Sequence, residues 1–309
     1  MLKSLHHVEF KVKDLAALKA FATDFGFNIV EETAERLVLG NLGGDMGVYV
    51  AEKAEEDAFI GLAFEVDNRS DLDLAVKELG ASEVADLGLP CGGQFVSLAD
   101  PDGNKVHLVH GASQVAEGEL EADLMINTPT KKVRFGQNQI KRNFGPARLW
   151  RIGHVGLFVK SYAASAAWYA ENLGLIGSDV YNIPGQPEAK IVGFHRMNRG
   201  DEYVDHHVVA LMQDERGGCH HISFEVLDYE AQFTTHRYLQ TKDYESIWGV
   251  GRHPHGSHVF DVWRSPDGAR FETFSDTDLF REEDGTNFHD ISTVDMDKWS
   301  NDPPDKYFI

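Results

Sequence analysis

Two histidines and a glutamate are the residues of this chain best suited to chemistry. His154 lies in Arg151-Ile-Gly-His-Val-Gly-Leu-Phe-Val159 and His221 in Gly217-Gly-Cys-His-His-Ile-Ser-Phe-Glu-Val226; Glu272 closes Ser265-Pro-Asp-Gly-Ala-Arg-Phe-Glu272. Two neutral imidazoles and one carboxylate hold one face of a divalent iron and leave the opposite face open, a set suited to oxygen chemistry. The three residues are far apart in sequence, so a fold must bring them together. Strand alternation puts neighbouring side chains on opposite faces. His220 is therefore a rival to His221, and His206 a rival to His207 in Asp205-His-His-Val-Val-Ala-Leu211.

The elements that would position them come in duplicate. His7-Val-Glu-Phe-Lys-Val-Lys-Asp14 repeats as His154-Val-Gly-Leu-Phe-Val-Lys-Ser161, each an apolar, partly alternating strand pattern. Helical patterns follow at Leu15 to Phe25 and at Ala163 to Leu173, each stopped by a glycine, Gly26 or Gly174. Leu62-Ala-Phe-Glu-Val-Asp67 matches Ile222-Ser-Phe-Glu-Val-Leu227, and Asp100-Pro-Asp-Gly-Asn-Lys-Val-His107 matches Ser265 to Glu272. Proline presets φ and glycine accepts a positive φ, so both Pro-Asp-Gly segments read as turns. This predicts an N-terminal domain over 1–111, a polar connector over 112–148, a C-terminal domain over 149–275 and an acidic tail over 276–309. The comparison also separates the copies. His7 keeps the first ligand position, but Gly61 stands where His221 does and His107 where Glu272 does. The N-terminal half is read as lacking a complete metal site.

Bulk properties narrow the class. At 309 residues the chain can bury real cores, and 42% hydrophobic with 26% charged residues is ordinary for a soluble globular protein. A net charge of −21 repels phosphate backbones and anionic lipid, so neither nucleic acid nor membrane is an expected partner. Cys91 and Cys219 are too few for a disulfide framework. No signal peptide or spanning segment is read, so the expected location is cytoplasmic. A homo-oligomer is the usual state of such an enzyme.

Gly251-Arg-His-Pro-His-Gly-Ser-His-Val-Phe-Asp-Val-Trp-Arg-Ser-Pro-Asp-Gly-Ala-Arg-Phe-Glu272, taken with His154 and His221, resembles the signature of the type I extradiol ring-cleavage dioxygenases. These belong to the vicinal oxygen chelate superfamily, which has the glyoxalase fold. The resemblance implies an α+β protein of two tandem domains, each of paired βαβββ modules, followed by the C-terminal tail. It places the metal ligands on His154, His221 and Glu272, the acid–base histidine on His207 and a substrate-contacting histidine on His253. It implies Fe(II) as the cofactor, with Mn(II) as the alternative ion. Its substrates would be a small aromatic diol and O2, its product a ring-opened semialdehyde. One position departs from the pattern: Val262 stands where similar enzymes carry a tyrosine that hydrogen-bonds the substrate, and valine has no donor. That departure keeps open a non-oxidative metal enzyme of the same superfamily, of isomerase, epimerase or transferase type. A ligand-sequestering binding protein is the third reading. His206 is expected on the surface, His255 and His258 on the surface or behind the site, and His195, His236 and His289 are expected to be structural. The tail, with Trp299 and Phe308 among its acids, is read either as disordered or as docked, over the pocket mouth or across a subunit contact.

Overall fold

A computed structural model describes residues 2–122, 124–136, 144–300 and 303–308. Four times the chain runs strand, helix, then three or more strands. The first module comprises β1 (Leu2–Val12), α1 (Leu15–Phe25), β2 (Asn28–Glu32), β3 (Arg36–Gly40) and β4 (Tyr49–Lys53). The second comprises β5 (Ala58–Val66), α2 (Arg69–Leu74, prolonged by a wider helical turn over Ala75–Leu79), β6 (Ala85–Asp86), β7 (Gln94–Ala99) and β8 (Lys105–His110). The third has β9 (Ile152–Val159), α3 (Tyr162–Leu173), β10 (Ile176–Asn182), β11 (Lys190–Arg196), the short β12 (Val204–Asp205) and β13 (Val209–Gln213). The fourth has β14 (Gly218–Glu225), α4 (Tyr229–Leu239), β15 (Ser246–Arg252), β16 (Val259–Arg264) and β17 (Arg270–Ser275). Two tail strands follow, β18 (Leu279–Phe280) and β19 (Asn287–Asp290).

The helices start and stop where their caps dictate. The Asp14 carboxylate accepts from the Ala17 amide at 2.9 Å and the Ser161 hydroxyl from that of Ala164 at 3.3 Å. Gly174 ends α3 at φ 71°, a backbone conformation that disfavours a side chain.

Each pair of modules shares one sheet. The N-terminal order is β2-β3-β4-β1-β5-β8-β7-β6, and the C-terminal order is β15-β16-β17-β14-β9-β13-β11-β10-β19. At the centre of each sheet the two modules meet through their first strands, β1 with β5 and β9 with β14, both antiparallel. Those central strands are flanked by parallel neighbours, β8 beside β5 and β17 beside β14. The turns of the two Pro-Asp-Gly segments deliver β8 and β17 to equivalent places.

The domains share a core. Phe25 and Phe27 pack edge-on against Phe271 and Phe224, with ring centroids 5.6 Å and 4.7 Å apart. Burying each such ring stabilises the fold by roughly 1.5–3 kcal/mol. This apolar seam fixes the back of the C-terminal sheet and leaves its other face for the site. Of the connector, Asp123 and residues 137–143 lie outside the described residues; its end joins the seam through Leu149, which is fully buried. The tail docks on the C-terminal domain: β19 extends the sheet beside β10, and β18 pairs with β12. Among the described residues no helix is long and apolar enough to cross a membrane.

Candidate active site

Strand register places the three residues. His154 on β9 pairs with Ser223 on β14, and Ser223 pairs in turn with Glu272 on β17. Donor atoms of His154, His221 and Glu272 all lie within 4.8 Å of one another, and all three residues are buried. His154 Nε2 is 3.2 Å from Glu272 Oε1, and the Ser223 hydroxyl donates to the same oxygen at 2.6 Å. Burial pushes the Glu272 pKa up, but the His154 hydrogen bond and the nearby imidazoles outweigh it and hold the group at about 2. The group is therefore an anion on the cavity floor, and a buried carboxylate requires compensation.

The rival histidines have a different relation from the expected one. A bulge between Cys219 and His221 breaks the alternation, and His220 packs behind the cavity wall on Phe158 and Tyr307. His220 Nε2 lies 2.8 Å from the Tyr307 carbonyl, and its Nδ1 lies 2.7 Å from His221 Nδ1. A carbonyl only accepts, so the neutral His220 carries its proton on Nε2 and accepts at Nδ1. His221 must then donate from Nδ1, which leaves its Nε2 lone pair free for a metal. Gly156 makes room for that ring: a Cβ at this position would sit 2.4 Å from His221.

The same device recurs beyond β9, just before β13. His206, expected on the surface, is buried at 1% exposure. Its Nε2 donates to Asp179 Oδ2 at 2.5 Å, and its Nδ1 lies 3.0 Å from His207 Nδ1. By the same reasoning His207 donates from Nδ1 and carries a lone pair on Nε2. Burial, with the neighbouring histidines, pushes the His207 pKa well down, so it is neutral at physiological pH. The His207 ring lies 4.1 Å from that of His154 and 4.8 Å from Phe194. His253 donates from Nδ1 to the Met296 carbonyl at 2.7 Å and stacks on Phe260. Its Nε2 is an acceptor, because burial lowers its pKa too.

His258 is the residue that sequence reasoning missed. It is buried, and neither ring nitrogen has a hydrogen-bond partner among the described residues. It forms a second convergent set with His154 and His207. Its position in a loop with His253 and His255 was the available signal. Of the two sets, the one containing Glu272 fits a divalent ion better, because it brings an anion to neutralise the charge. His289 is not isolated either: its Nε2 lies 2.6 Å from Asp179. His195 and His236 are structural as expected, held by Tyr162 and Asp261 respectively.

His154, His207, His221, His253, His258 and Glu272 line a cavity of about 280 Å³, near the lower limit of small-molecule sites. Its walls are apolar, from Phe158, Val192, Phe194, Ala210 and Met212. The tail forms the rest, through Ile291, Val294, Met296 and Tyr307. Tyr307 packs against Trp248, 4.8 Å between rings, in a small cluster that also contains Val262. Val262 pairs with Glu272 across the strands and is fully buried. A phenol from the tail thus stands beside the position where the signature lacks one.

The N-terminal counterpart is closed by its own side chain. Glu9 occupies the position of Gly156, and its two carboxylate oxygens lie 3.3 Å from His7 Nε2 and 3.3 Å from His107 Nε2. Hydrogen bonds from these two histidines outweigh burial and hold Glu9 well below the usual carboxylate range. The glycine–histidine pair of one domain is replaced by a glutamate–glycine pair in the other.

The model of the glyoxalase/bleomycin resistance protein/dioxygenase superfamily matches residues 4–108 and 151–273. The chain belongs to this superfamily. Among curated proteins it is 26% identical to metapyrocatechase 2 of Cupriavidus necator over 317 residues, covering 99% of this chain and 91% of that protein. Among solved structures it resembles a Mn(II)-bound glyoxalase from Novosphingobium aromaticivorans, with TM-score 0.79 and 23% identity over 99% and 93% of the two chains. It also resembles homoprotocatechuate 2,3-dioxygenase of Brevibacterium fuscum in its anaerobic complex with 3,4-dihydroxyphenylacetate. There the TM-score is 0.78, with 17% identity over 100% and 92%. The two-domain superfamily fold accounts for the duplicated modules.

Proposed function

We propose that the protein is an extradiol ring-cleavage dioxygenase that holds Fe(II) on His154, His221 and Glu272. The observation that carries this is the meeting of two imidazoles and one buried carboxylate on the floor of a small apolar cavity. The names of the curated relative and of the substrate-bound neighbour support it. When bound, iron supplies the path by which an electron-rich diol passes electrons to O2.

The chain's own residues do the rest. His207 takes a proton from a substrate hydroxyl at Nε2 and holds it for return to a departing oxygen. Asp179 and His206 keep that nitrogen unprotonated beforehand. His253 accepts from the second hydroxyl at Nε2. Tyr307 stays protonated, since burial and the nearby Glu272 raise its pKa, and donates to a substrate oxygen. Phe194, Val192 and Met212 provide an apolar wall for the ring. The tail, through Ile291, Val294 and Met296, excludes water from the reacting face. The enzyme is placed in the cytoplasm, in keeping with two free cysteines.

The test is anaerobic reconstitution of the metal-free chain with Fe(II), addition of substituted catechols, then admission of air. A yellow ring-opened semialdehyde is expected. Colourless mixtures across a broad panel, with iron demonstrably bound, refute the reading.

A further inference from the structure

We propose that Asp179, His255 and His289 form a second divalent-cation site on the rim of the cavity, distinct from the one on its floor. The three come from separate elements: Asp179 from β10, His255 from the loop between β15 and β16, and His289 from the tail strand β19. Their donor atoms all lie within 4.8 Å of one another.

The spacing suits coordination. Two atoms each about 2.0–2.1 Å from one tetrahedral ion lie roughly 3.3–3.4 Å apart. Asp179 Oδ1 is 2.6 Å from His289 Nε2 and 3.8 Å from His255 Nδ1, so shifts of well under an ångström on either side admit an ion. The His255 and His289 rings lie 4.2 Å apart, tilted by 34°. The Tyr181 hydroxyl now lies 2.5 Å from His255 Nδ1. A cation at the site takes over that lone pair, and the phenol turns to a ligand water.

Support behind the ligands is also in place. The other oxygen of Asp179 accepts from the buried His206 at 2.5 Å, which fixes the carboxylate as metal-ligating carboxylates usually are. Asp179 is itself buried at 4% exposure, whereas the side chains of His255 and His289 are 26% and 23% exposed. An ion can therefore enter from solvent onto an anchored anion. Two imidazoles and one carboxylate select a borderline first-row cation such as Zn(II) over Mg(II) or Ca(II). Bound there, it ties the tail strand and the histidine loop to β10, and so braces the cavity rim.

The experiment uses the full chain and Zn(II) alone, and needs no turnover. The metal-free protein is dialysed against Zn(II) and the bound metal counted. Two Zn(II) per chain are expected for the wild type and one for each of His289→Ala and His255→Ala. Glu272→Ala should also keep one, the rim ion. A wild type that binds a single Zn(II), or either rim variant that still binds two, overturns the proposal.

Discussion

His206→Phe tests the claim that the first histidine of a doublet sets the tautomer of the second. Phe194 and Phe280 already pack on the His206 ring, with centroids 5.7 Å and 5.2 Å away, so an aromatic replacement keeps the packing. It removes the acceptor 3.0 Å from His207 Nδ1. His207 is buried, and an unsatisfied buried donor costs about 1–3 kcal/mol. That sum now favours the other tautomer, with the proton on Nε2 where the base needs a lone pair. At about 1.4 kcal/mol per factor of ten, turnover should fall roughly 5- to 150-fold. The assay is initial-rate oxygen uptake with a saturating catechol, with bound iron measured on the same samples. Iron content should be unchanged. In a His207→Phe background the His206→Phe change should cost nothing more, because the residue it orients is gone. A normal rate in the single variant, or a further loss in the double, would refute the reasoning.

Tyr307→Phe should lower kcat/KM by roughly fivefold, in line with one lost hydrogen bond of about 1 kcal/mol; unchanged kinetics would show that the phenol only packs. Phe271→Ala should lower stability by about 3–5 kcal/mol, read by urea unfolding, since its ring joins Phe25 and Phe224 across the domain seam. His236 is raised above 6.5 by its hydrogen bond to Asp261. Its contribution to stability is full below that value and is lost as pH rises through the higher folded one. The gap in Tm between wild type and His236→Gln should therefore shrink from about pH 6 to about pH 9, and a constant gap would contradict the assignment.

The duplicated modules were legible because strand, cap and turn are local signals. The Pro-Asp-Gly turns and the His-Val strand starts recur at matched places, and the end of α1 follows from Gly26. His154, His221 and Glu272 could be found by comparing the copies, and His7 and His107 marked the degenerate site. What stayed hidden depends on contacts between distant segments. The bulge at His221 leaves no mark on a period-two pattern, so His220 and His221 read as alternatives when they act as a pair. His206 looks like any polar residue until β10 brings Asp179 to it. His258 has no motif of its own, and its burial arises only where the loop folds over His154 and His207. The docking of the tail rests on Tyr307 meeting Trp248 and on Met296 meeting His253, partners far away in sequence.

The most direct test of the central claim is the stoichiometry of oxygen use by the Fe(II)-loaded protein. A fixed amount of a turned-over catechol is added in an oxygen electrode, and product is counted by absorbance. One O2 consumed per ring opened, with no reaction under strict anaerobiosis, is the predicted result. Product formed without oxygen would contradict it and assign the site to non-oxidative metal chemistry.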